Sequence, residues 1–528
     1  MNIVKSIKGR IDGLRNSRKS RYWEYAAYYA DSRLWEDVIL FESFGGTNFQ
    51  GNPYYLYKAI LQDPQYGEYR LFVAHRAPGQ IAEWLRQQGL MDSRVTVIQK
   101  DSPEYRDALA HAKYLVNNVS FSMDYIKKPG QVYLNTWHGT PLKCLGRNIQ
   151  NDPFECNNAQ RNFLLCDYLL APNTLTKHVY EEDYMVHGIM PGRIMLSGYP
   201  RNSVFFDAQK REEVKKKYRM DGVKTVFYMP TWRGTACGVD NVDQVSEIER
   251  LAKDLGPGYR VYVKFHPAMK SNGIKFQYCY DMPGDIEVYE FLNAVDILIT
   301  DYSSVFFDFA STSKQIILYQ YDKEQYYKDR GVYAEVAENL PFPVVYDYDA
   351  LLAAVQSEEP VEYSAFIDRF CSHDSIAAAA KAADLLLNGS KEAAEQPGAD
   401  LYVIDYPITE EQIMGLKDKL EGTNYRFVFV LKRRAGGFGA LHCWNQIDYL
   451  VLYMYDRLTV AESVHNALCA IAYTCFRSKK ARKVMQAYSR REQRRLWGDL
   501  KINHIYAKSK RLPTAIRAFA EEWPRDMR

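Results

Sequence analysis

The sequence predicts an α/β protein made of two doubly wound domains that face each other across a cleft. Short, almost continuously apolar segments alternate with helical stretches, which is typical of strands buried on both faces of a parallel sheet. The chain has 528 residues, of which 47% are hydrophobic, and this is enough for at least two domain cores. Polar side chains follow several of the apolar segments directly, at the position where open α/β sheets bind ligands.

The strand candidates fall into two blocks. The first block has candidates at residues 38–41, 70–74, 95–98, 114–117, 132–135 and 168–171. The second has candidates at 225–228, 260–264, 286–288, 297–300 and 315–319, and it closes with an alanine-rich helix at 375–387. Helical stretches between the strands favour parallel pairing in both blocks. The boundary is expected near residues 198–202, which gives an N-terminal domain at 31–200 and a second domain at 201–388.

The remainder of the chain has a different character. Residues 389–400 are rich in Gly, Ser, Glu and Ala, which predicts a linker. Residues 401–528 form an additional region, predicted to be α+β, with strands at 402–405 and 427–432 and long helices from about residue 459. Its stretch from 477 to 511 is strongly basic with interleaved aromatic residues, which suits a polyanionic polymer or an anionic lipid. Nucleic acid fits that charge equally, and a plain solvated helical face is the remaining interpretation.

Composition excludes several classes of protein. The net charge of +3 gives no global argument for nucleic-acid binding, and no nucleic acid is expected as a partner. Nine cysteines occur without paired metal spacings, which favours a reducing cytoplasm over a disulfide framework or a zinc site. No apolar run reaches about eighteen residues, so no transmembrane helix is predicted.

The N-terminal segment, residues 1–30, is basic and amphipathic. Its apolar residues recur at steps of three and four, which places them on one helical face between lysines and arginines. That pattern suits a helix lying on an anionic membrane surface. A first helix docked on the protein's own core fits the same pattern.

The most informative cluster is Asn135-Thr136-Trp137-His138-Gly139-Thr140-Pro141-Leu142-Lys143, directly after the apolar run that ends at Leu134. A histidine titrates near neutral pH, and a glycine lets the backbone come close to a ligand. His138 is therefore the first candidate for a general base. A structural turn with a histidine bonded to the backbone is the alternative.

A second set of candidates lies downstream and suits phosphate chemistry. Lys264-Phe265-His266-Pro267 follows one strand, and Thr300-Asp301-Tyr302-Ser303-Ser304 follows another and opens a helix that carries Asp308. Such lysine, histidine and helix-start groups can neutralise charge on a phosphate. Asp308 is placed to hold ligand hydroxyls or to favour the helix dipole.

Two arginines and a further strand end complete the candidates. Arg201 and Arg233 can each clamp a phosphate through two N–H groups, and Pro230-Thr231 ends a strand of the second block. No Walker loop and no dinucleotide-binding glycine motif is present, and no cluster of carboxylates suggests a metal site. Basic side chains are therefore expected to supply the charge neutralisation, without a metal or another cofactor.

In their order along the chain these motifs resemble the CDP-glycerol glycerophosphotransferases, the teichoic acid primases and polymerases. The resemblance covers about residues 38–388, and it rests on five motifs: Trp137-His138-Gly139-Thr140-Pro141-Leu142-Lys143, Gly198-Tyr199-Pro200-Arg201-Asn202, Pro230-Thr231-Trp232-Arg233, Lys264-Phe265-His266-Pro267 and Thr300-Asp301-Tyr302-Ser303-Ser304. One departure is His373-Asp374-Ser375, which stands where the family tends to show an Asp-Asp-Gly-like turn. Residues beyond 400 match nothing in the family.

The resemblance implies a GT-B architecture and a peripheral enzyme on the cytoplasmic face of the cell membrane. It implies transfer of glycerol phosphate from CDP-glycerol to a hydroxyl of a lipid-linked acceptor, with release of CMP, in teichoic acid or capsule-like polymer synthesis. His138 and His266 would be catalytic. The expected contacts to CDP-glycerol are His138, Gly139, Thr140, Pro141, Leu142, Arg201, Pro230, Thr231, Lys264, Phe265, His266, Ser303, Ser304 and Asp308.

Two rival activities stay open on sequence grounds. CDP-ribitol, or another CDP-alditol, shares the CDP moiety and differs only in the length of the polyol. A more distant rival is a GT-B glycosyltransferase that uses a nucleotide sugar.

Overall fold

The computed structural model describes residues 25–149, 153–231, 242–265, 276–389, 398–431, 438, 441–453, 460–508 and 512–524. Most of the basic N-terminal segment (1–24), the middle of the expected linker (390–397), Arg233 and His266 lie outside these residues. The described chain begins with a short helical stretch at 25–30.

The first sheet has seven strands and is parallel throughout. Its strands, β1 to β7 in chain order, are Trp35–Glu42, Arg70–His75, Val95–Gln99, Ala112–Asn117, Val132–Asn135, Tyr168–Ala171 and Arg193–Leu196. Helices α1 to α5 are Asn52–Gln62, Pro78–Gln87, Pro103–His111, Asn157–Leu165 and Thr174–His178. The strand order β3-β2-β1-β4-β5-β6-β7 reverses direction between β1 and β4, so the ligand edge of this sheet is expected at the ends of those two strands.

The second sheet has six strands and the same winding. Strands β8 to β13 are Lys224–Tyr228, Tyr259–Val263, Tyr280–Asp281, Ile297–Thr300, Gln315–Tyr319 and Val344–Val345. Helices α6 to α14 are Ala208–Lys217, Val242–Leu255, Val288–Ala294, Val305–Ala310, Lys323–Arg330, Ala334–Ala337, Tyr348–Gln356, Ser364–Phe370 and Ala378–Asn388. The order β10-β9-β8-β11-β12-β13 reverses between β8 and β11. Helix α14 returns to pack against α1, which ties the end of the second half to the first.

A third sheet of four strands lies beyond residue 398. Strands β14 to β17 are Ala399–Ile404, Tyr425–Leu431, Tyr449–Tyr453 and Ile502–Ala507, and helices α15 to α18 are Glu410–Leu420, Val460–Phe476, Lys479–Trp497 and Thr514–Arg517. The order is β16-β15-β14-β17, and every pairing is parallel. The expectation of an α+β region is therefore wrong: α15 lies between β14 and β15, and α16 and α17 lie between β16 and β17. Residues 398–524 form a small α/β unit with a parallel sheet, called here the C-terminal module.

The strands of the first two sheets confirm most of the predicted segments, and the exceptions have physical reasons. The predicted strand at 286–288 is wrong, because the Glu287 side chain accepts the N–H of Tyr289 and caps α8 instead. Strand β7 was not predicted because it is a partly exposed sheet edge, and β10 and β13 were not predicted because each has only two residues. The predicted domain boundaries at 200 and 388 stay predictions.

The C-terminal module is fastened to the first half by buried side chains of α4. The Asn157 amide donates to the Val451 carbonyl at 2.9 Å, and Gln160 Nε2 donates to the Tyr449 carbonyl at 2.8 Å. Arg161 Nε donates to the Arg495 carbonyl at 2.7 Å. These buried side chains donate their hydrogen bonds to backbone carbonyls of the module. The module is therefore an integral part of the fold.

Candidate functional site

The loop after β5 places His138 at the ligand edge of the first sheet. The side chain of Asn135 accepts the N–H of Trp137 at 2.9 Å, and Trp137 itself has a φ of 52°, an uncommon conformation for a bulky residue. The Trp137 ring packs against Phe163 at 5.2 Å and against the His138 ring at 4.3 Å. This packing holds the strained turn and fixes the direction of the imidazole.

The hydrogen bonding of His138 shows which ring nitrogen carries the proton. Nδ1 lies 2.9 Å from the carbonyl oxygen of Asn118, which follows β4 at the point where the strand order reverses. A carbonyl can only accept, so Nδ1 carries the proton and Nε2 keeps its lone pair. Burial, helped by the nearby Arg201 cation, lowers the pKa of His138 to about 4. At neutral pH the imidazole is therefore neutral and able to accept a proton.

Arg201 links the His138 loop to the second half of the chain. It lies in a 3₁₀ helix, Pro200–Phe206, and its Nη1 donates to the His138 carbonyl at 2.9 Å. Its Nη2 donates to Asp308 Oδ2 at 2.7 Å. Burial lowers the pKa of Arg201, but Asp308 and Tyr289 outweigh burial and raise it, so the guanidinium is a buried cation.

Asp308 is occupied by protein donors rather than exposed to the cleft. Its carboxylate accepts from Arg201, from the Tyr289 hydroxyl at 2.8 Å and from the Asn202 amide at 3.1 Å. Asp308 therefore positions the arginine, and the sequence interpretation that it favours only the helix dipole is too limited. The expected contact of Asp308 with ligand hydroxyls stays a prediction.

The turn that departs from the family pattern supports the same network. Asp374 accepts from Asn202 Nδ2 at 2.8 Å and from the Ser311 hydroxyl at 2.9 Å, while the Tyr199 N–H reaches it at 3.3 Å. Burial raises the pKa of Asp374 to about 7, and the charge of Asp308 adds to the rise. Asp374 thus holds the Asn202 amide, which in turn donates to Asp308.

Gly139 brings the first half of the chain against Ser304 of the second. A Cβ added at Gly139 would lie 2.4 Å from the Ser304 hydroxyl oxygen and 3.6 Å from Arg201 Nη2. Ser304 precedes helix α9 but makes no side-chain cap hydrogen bond, whereas the Ser303 hydroxyl accepts the Val305 N–H at 3.4 Å. Helix α9 has only six residues, so its dipole is weaker than a long helix would provide.

Thr231 lies at the ligand edge of the second sheet. Its N–H and hydroxyl both bond to the Asp301 carboxylate, the hydroxyl at 2.6 Å. Thr231 follows β8 and Asp301 follows β11, so this pair stands where the order of the second sheet reverses. Pro230 precedes Thr231 in the same loop. The ligand edges of the two sheets thus hold Asn118 with His138 on one side and Asp301 with Thr231 on the other.

The remaining predicted residues fall into two groups. Some make contacts that hold the loops at the strand ends, and others lie outside the residues that the structure describes. Lys264 follows β9, its N–H donating to the Tyr228 carbonyl, and Phe265 is a core side chain packed on Tyr228. The Thr140 hydroxyl accepts from Asn173, and the Leu142 carbonyl accepts from the Tyr333 N–H. Pro141, which stands between Thr140 and Leu142 in the sequence, is buried. His266 and Arg233 lie outside the described residues.

Three residues outside the predicted site set hold the site together. Asn52 donates to the carbonyls of Thr136 and Trp137 and accepts the Arg201 N–H at 3.2 Å. Asn118 fixes His138, and Tyr289 holds Asp308. The local signal for Asn52 was Gly51-Asn52-Pro53 at the start of α1, where Gly51 has a φ of 66°. For Asn118 it was the pair Asn117-Asn118 at the end of β4, which resembles the family.

Two kinds of feature are absent from the described residues. Within them, no group of three or more histidine, cysteine, aspartate or glutamate side chains is arranged to hold a metal ion. None of the described helices combines the length and the apolar character that a membrane span requires.

Comparison with known proteins identifies the class. A family described as CDP-Glycerol:Poly(glycerophosphate) glycerophosphotransferase matches residues 26–388, more than half of the chain. The chain belongs to this family, and its α/β fold with parallel sheets agrees with that assignment.

Individual relatives are teichoic acid enzymes. The teichoic acid poly(glycerol phosphate) polymerase of Staphylococcus epidermidis is 29% identical over 381 residues, which cover 67% of this chain and 51% of that protein. The polymerase of Bacillus spizizenii is 29% identical over 360 residues, covering 64% of this chain and 88% of that one. The chain spans about half the length of the curated relatives that it matches first.

A solved structure agrees with the fold. The wall teichoic acid polymerase TagF superposes with a TM-score of 0.61 at 26% identity, covering 73% of this chain and 96% of that one. A variant of TagF soaked with CDPG gives the same TM-score and coverage.

Proposed function

We propose that this protein transfers glycerol phosphate from CDP-glycerol to a hydroxyl of a lipid-linked glycerol phosphate or saccharide acceptor and releases CMP. The observation that carries the proposal is the neutral imidazole of His138. Its Nε2 keeps a lone pair because Nδ1 donates to the Asn118 carbonyl, and it stands beside the buried cation Arg201. Family membership supplies the donor class, and the first relatives are named for poly(glycerol phosphate).

In this mechanism His138 is the general base. Nε2 takes the proton from the acceptor hydroxyl, whose oxygen forms a bond to the phosphorus that carries glycerol. The bond from that phosphorus to the oxygen bridging it to CMP breaks, and CMP leaves with the electron pair. Transfers of this kind need mainly positioning and charge stabilisation, which a rigid basic site supplies.

Charge on the donor is neutralised by groups from both halves. Arg201 is a buried cation whose Nε–H has no protein acceptor among the described residues, so it can serve an anionic oxygen. Lys264 and the hydroxyls of Thr231, Ser303 and Ser304 follow strands of the second sheet. We assign His266 to the same role on the strength of its motif alone.

The proposal also covers the place of the enzyme in the cell. The acceptor is assigned to residues 31–200 and CDP-glycerol to residues 201–388. The protein would lie at the inner face of the cell membrane as a peripheral enzyme of teichoic acid or capsule-like polymer synthesis. Names of the relatives support the polymer, and the requirement for a lipid-linked acceptor supports the membrane.

A second donor keeps the same site and changes the polyol. The teichoic acid ribitol-phosphate polymerase TarL of Staphylococcus aureus is 30% identical over 344 residues, covering 61% of this chain and 57% of that one. CDP-ribitol is therefore the alternative donor.

The test is release of CMP from purified protein given CDP-glycerol, CDP-ribitol or UDP-glucose with a membrane-derived glycerol phosphate acceptor. The proposal requires CMP from CDP-glycerol, and CMP from CDP-ribitol alone would move the protein to the alternative. Consumption of UDP-glucose without CMP from either CDP-polyol would replace the proposal with a glycosyltransferase.

A further inference from the structure

Helix α16 of the C-terminal module presents an apolar face to solvent. Val464, Leu468, Ile471 and Phe476 are 55%, 59%, 58% and 81% exposed, and Cys475 is exposed beside them. Residues 464, 468, 471 and 475 follow the three- and four-residue steps that align side chains on one helical face. An apolar face of this size on a soluble surface marks an interaction site.

The opposite side of α16 is already used. It packs in an antiparallel hairpin against α17: Glu462 pairs with Arg491 at 2.6 Å, His465 lies 3.1 Å from the Tyr488 hydroxyl, and Cys469 packs with Ala481 and Met485. The exposed face is therefore not the side of α16 that packs against α17. It points away from a pairing that is already complete.

Charge around this face identifies the partner. Between residues 460 and 491 the sequence has seven lysines and arginines and one acidic residue, Glu462, which Arg491 neutralises. Arg477, Lys479 and Lys480 directly follow the most exposed apolar residue, Phe476, and are themselves exposed. An apolar helix face that ends in a cluster of cations matches the interface of an anionic bilayer, where the apolar side chains enter the acyl boundary and the cations meet the headgroups.

The beginning of the described chain lies beside the same hairpin. Tyr29, in the helical stretch 25–30, lines a groove of about 740 Å³ together with Tyr488, Arg490, Arg494 and Trp497 of α17. Tyrosine, tryptophan and arginine are the side chains that favour a membrane–water boundary. The groove thus extends the basic aromatic surface from α17 toward the N-terminal end of the chain.

We propose that the α16 face and the cations at 477–480 bind the surface of an anionic lipid bilayer. The inference rests on the proposed function in one respect: it gives the membrane contact through which the cleft would meet a lipid-linked acceptor. The charge argues against a second copy of this chain as the partner, because the basic hairpins of the two copies would repel each other.

The test is sedimentation of the full-length protein with vesicles of phosphatidylcholine alone or with phosphatidylglycerol added. Wild type should pellet with the anionic vesicles, and salt should weaken the binding. Leu468→Asn/Ile471→Asn should lower the vesicle affinity about tenfold for each side chain removed. The matched control is Val361→Asn, which changes an exposed apolar residue elsewhere, and it should bind as wild type does.

The basic part has its own variants. Lys479→Gln/Lys480→Gln should lower binding about fivefold for each charge at low salt and make it less sensitive to salt. Lys216→Gln/Lys381→Gln removes two exposed lysines from other surfaces and should have no such effect. Equal binding by wild type and the Leu468→Asn/Ile471→Asn protein would overturn the proposal. So would a fall in molecular mass of that variant from dimer to monomer in solution, because the face would then be a contact between copies.

The two proposals fail separately. CMP release is measured in parallel with CDP-glycerol and a short soluble glycerol phosphate acceptor, a reaction that needs no membrane. Vesicle binding without CMP release would overturn the proposed function and leave this surface standing. CMP release by a wild-type protein that does not bind anionic vesicles would overturn the membrane surface and leave the proposed function standing.

Discussion

Gly139 and Ser304 touch across the cleft. A Cβ at position 139 would lie 2.4 Å from the Ser304 hydroxyl oxygen, closer than any real Cβ contact allows. The two residues belong to different sheets, since Gly139 follows β5 and Ser304 follows β11. The close approach of the two halves therefore favours glycine at 139, and its φ of 157° favours glycine as well.

Gly139→Ala should separate the His138 loop from Ser304 and lower kcat/KM about a hundredfold, the usual cost of displacing a catalytic group by about 1 Å. The measurement is steady-state CMP release together with thermal unfolding. Gly139→Ala/Ser304→Gly should recover part of the loss, because the colliding hydroxyl is gone. Gly258→Ala, at a position with open space around the glycine, is the control and should be nearly silent.

His138→Ala should lower kcat by about a hundred- to ten-thousandfold while leaving the KM for CDP-glycerol within a small factor. The reason is that the imidazole takes the acceptor proton, while the other expected contacts to CDP-glycerol stay in place without it. His504→Ala removes a surface histidine of the C-terminal module and serves as the control. Near-normal turnover of the His138→Ala protein would exclude this residue as the base.

The pH profile tests the same assignment independently. The pKa of His138 is lowered to about 4, so the base form is populated above that pH and is lost only as the pH falls through it. We expect kcat/KM to stay flat from about pH 8 to about pH 5.5, whereas an ordinary histidine would halve the rate near pH 6.5. An acid limb centred near pH 6.5 would show that the pKa of His138 is not lowered, or that His138 is not the base.

Much of the fold could be predicted because parallel strands buried on both faces leave continuous apolar runs in the sequence. β1, β4, β8 and β11 were visible in this way, whereas β7 offers only the three apolar residues 194–196 at a partly exposed edge. The segment 286–288 misled because Ile286 and Val288 alternate with Glu287, a spacing that fits a short strand, whereas Glu287 caps a helix that begins at Val288.

The candidate site was predictable only where its residues share a motif. His138 and Gly139 are neighbours in sequence, so one short pattern revealed both. Asn52 is 149 residues from its partner Arg201, and Tyr289 meets Asp308 on another element. Nor could the sequence show that Asp308 and Phe265 face the interior, because strand ends supply both ligand contacts and core residues.

Asp308→Asn should destabilise the protein by about 3–5 kcal/mol, because the buried guanidinium of Arg201 loses its counter-charge. Urea unfolding measures the loss, and CMP release should fall with it since Arg201 also holds the His138 carbonyl. Asp37→Asn breaks an ion pair of the same kind at the surface, with Arg70, and should cost less than about 1 kcal/mol. Equal effects of the two substitutions would contradict a buried charge at Arg201.

Arg161→Met tests whether the C-terminal module stabilises the family core. Arg161 is buried, and it donates to the carbonyls of Arg495, Ser122 and Tyr125, so it joins α17 to the loop after β4. Methionine fills a similar volume but removes these three hydrogen bonds, and among the described residues only the Ser122 carbonyl keeps another donor, the Tyr125 N–H. The loss should cost about 2–4 kcal/mol in urea unfolding. Arg193→Met, at an exposed position on β7, should change stability by less than about 0.5 kcal/mol.

Deleting the module would be a less clear experiment than this substitution. Removal of residues beyond 389 takes away the module acceptors of Asn157, Gln160 and Arg161 at once. It also exposes apolar side chains that pack against the module, such as Phe154 on Phe429 and Trp444. A truncated chain that loses activity would therefore report unfolding as readily as a lost binding function. If Arg161→Met unfolds at the same urea concentration as wild type, the module contributes little to the stability of the core, and truncation becomes a valid test of its role.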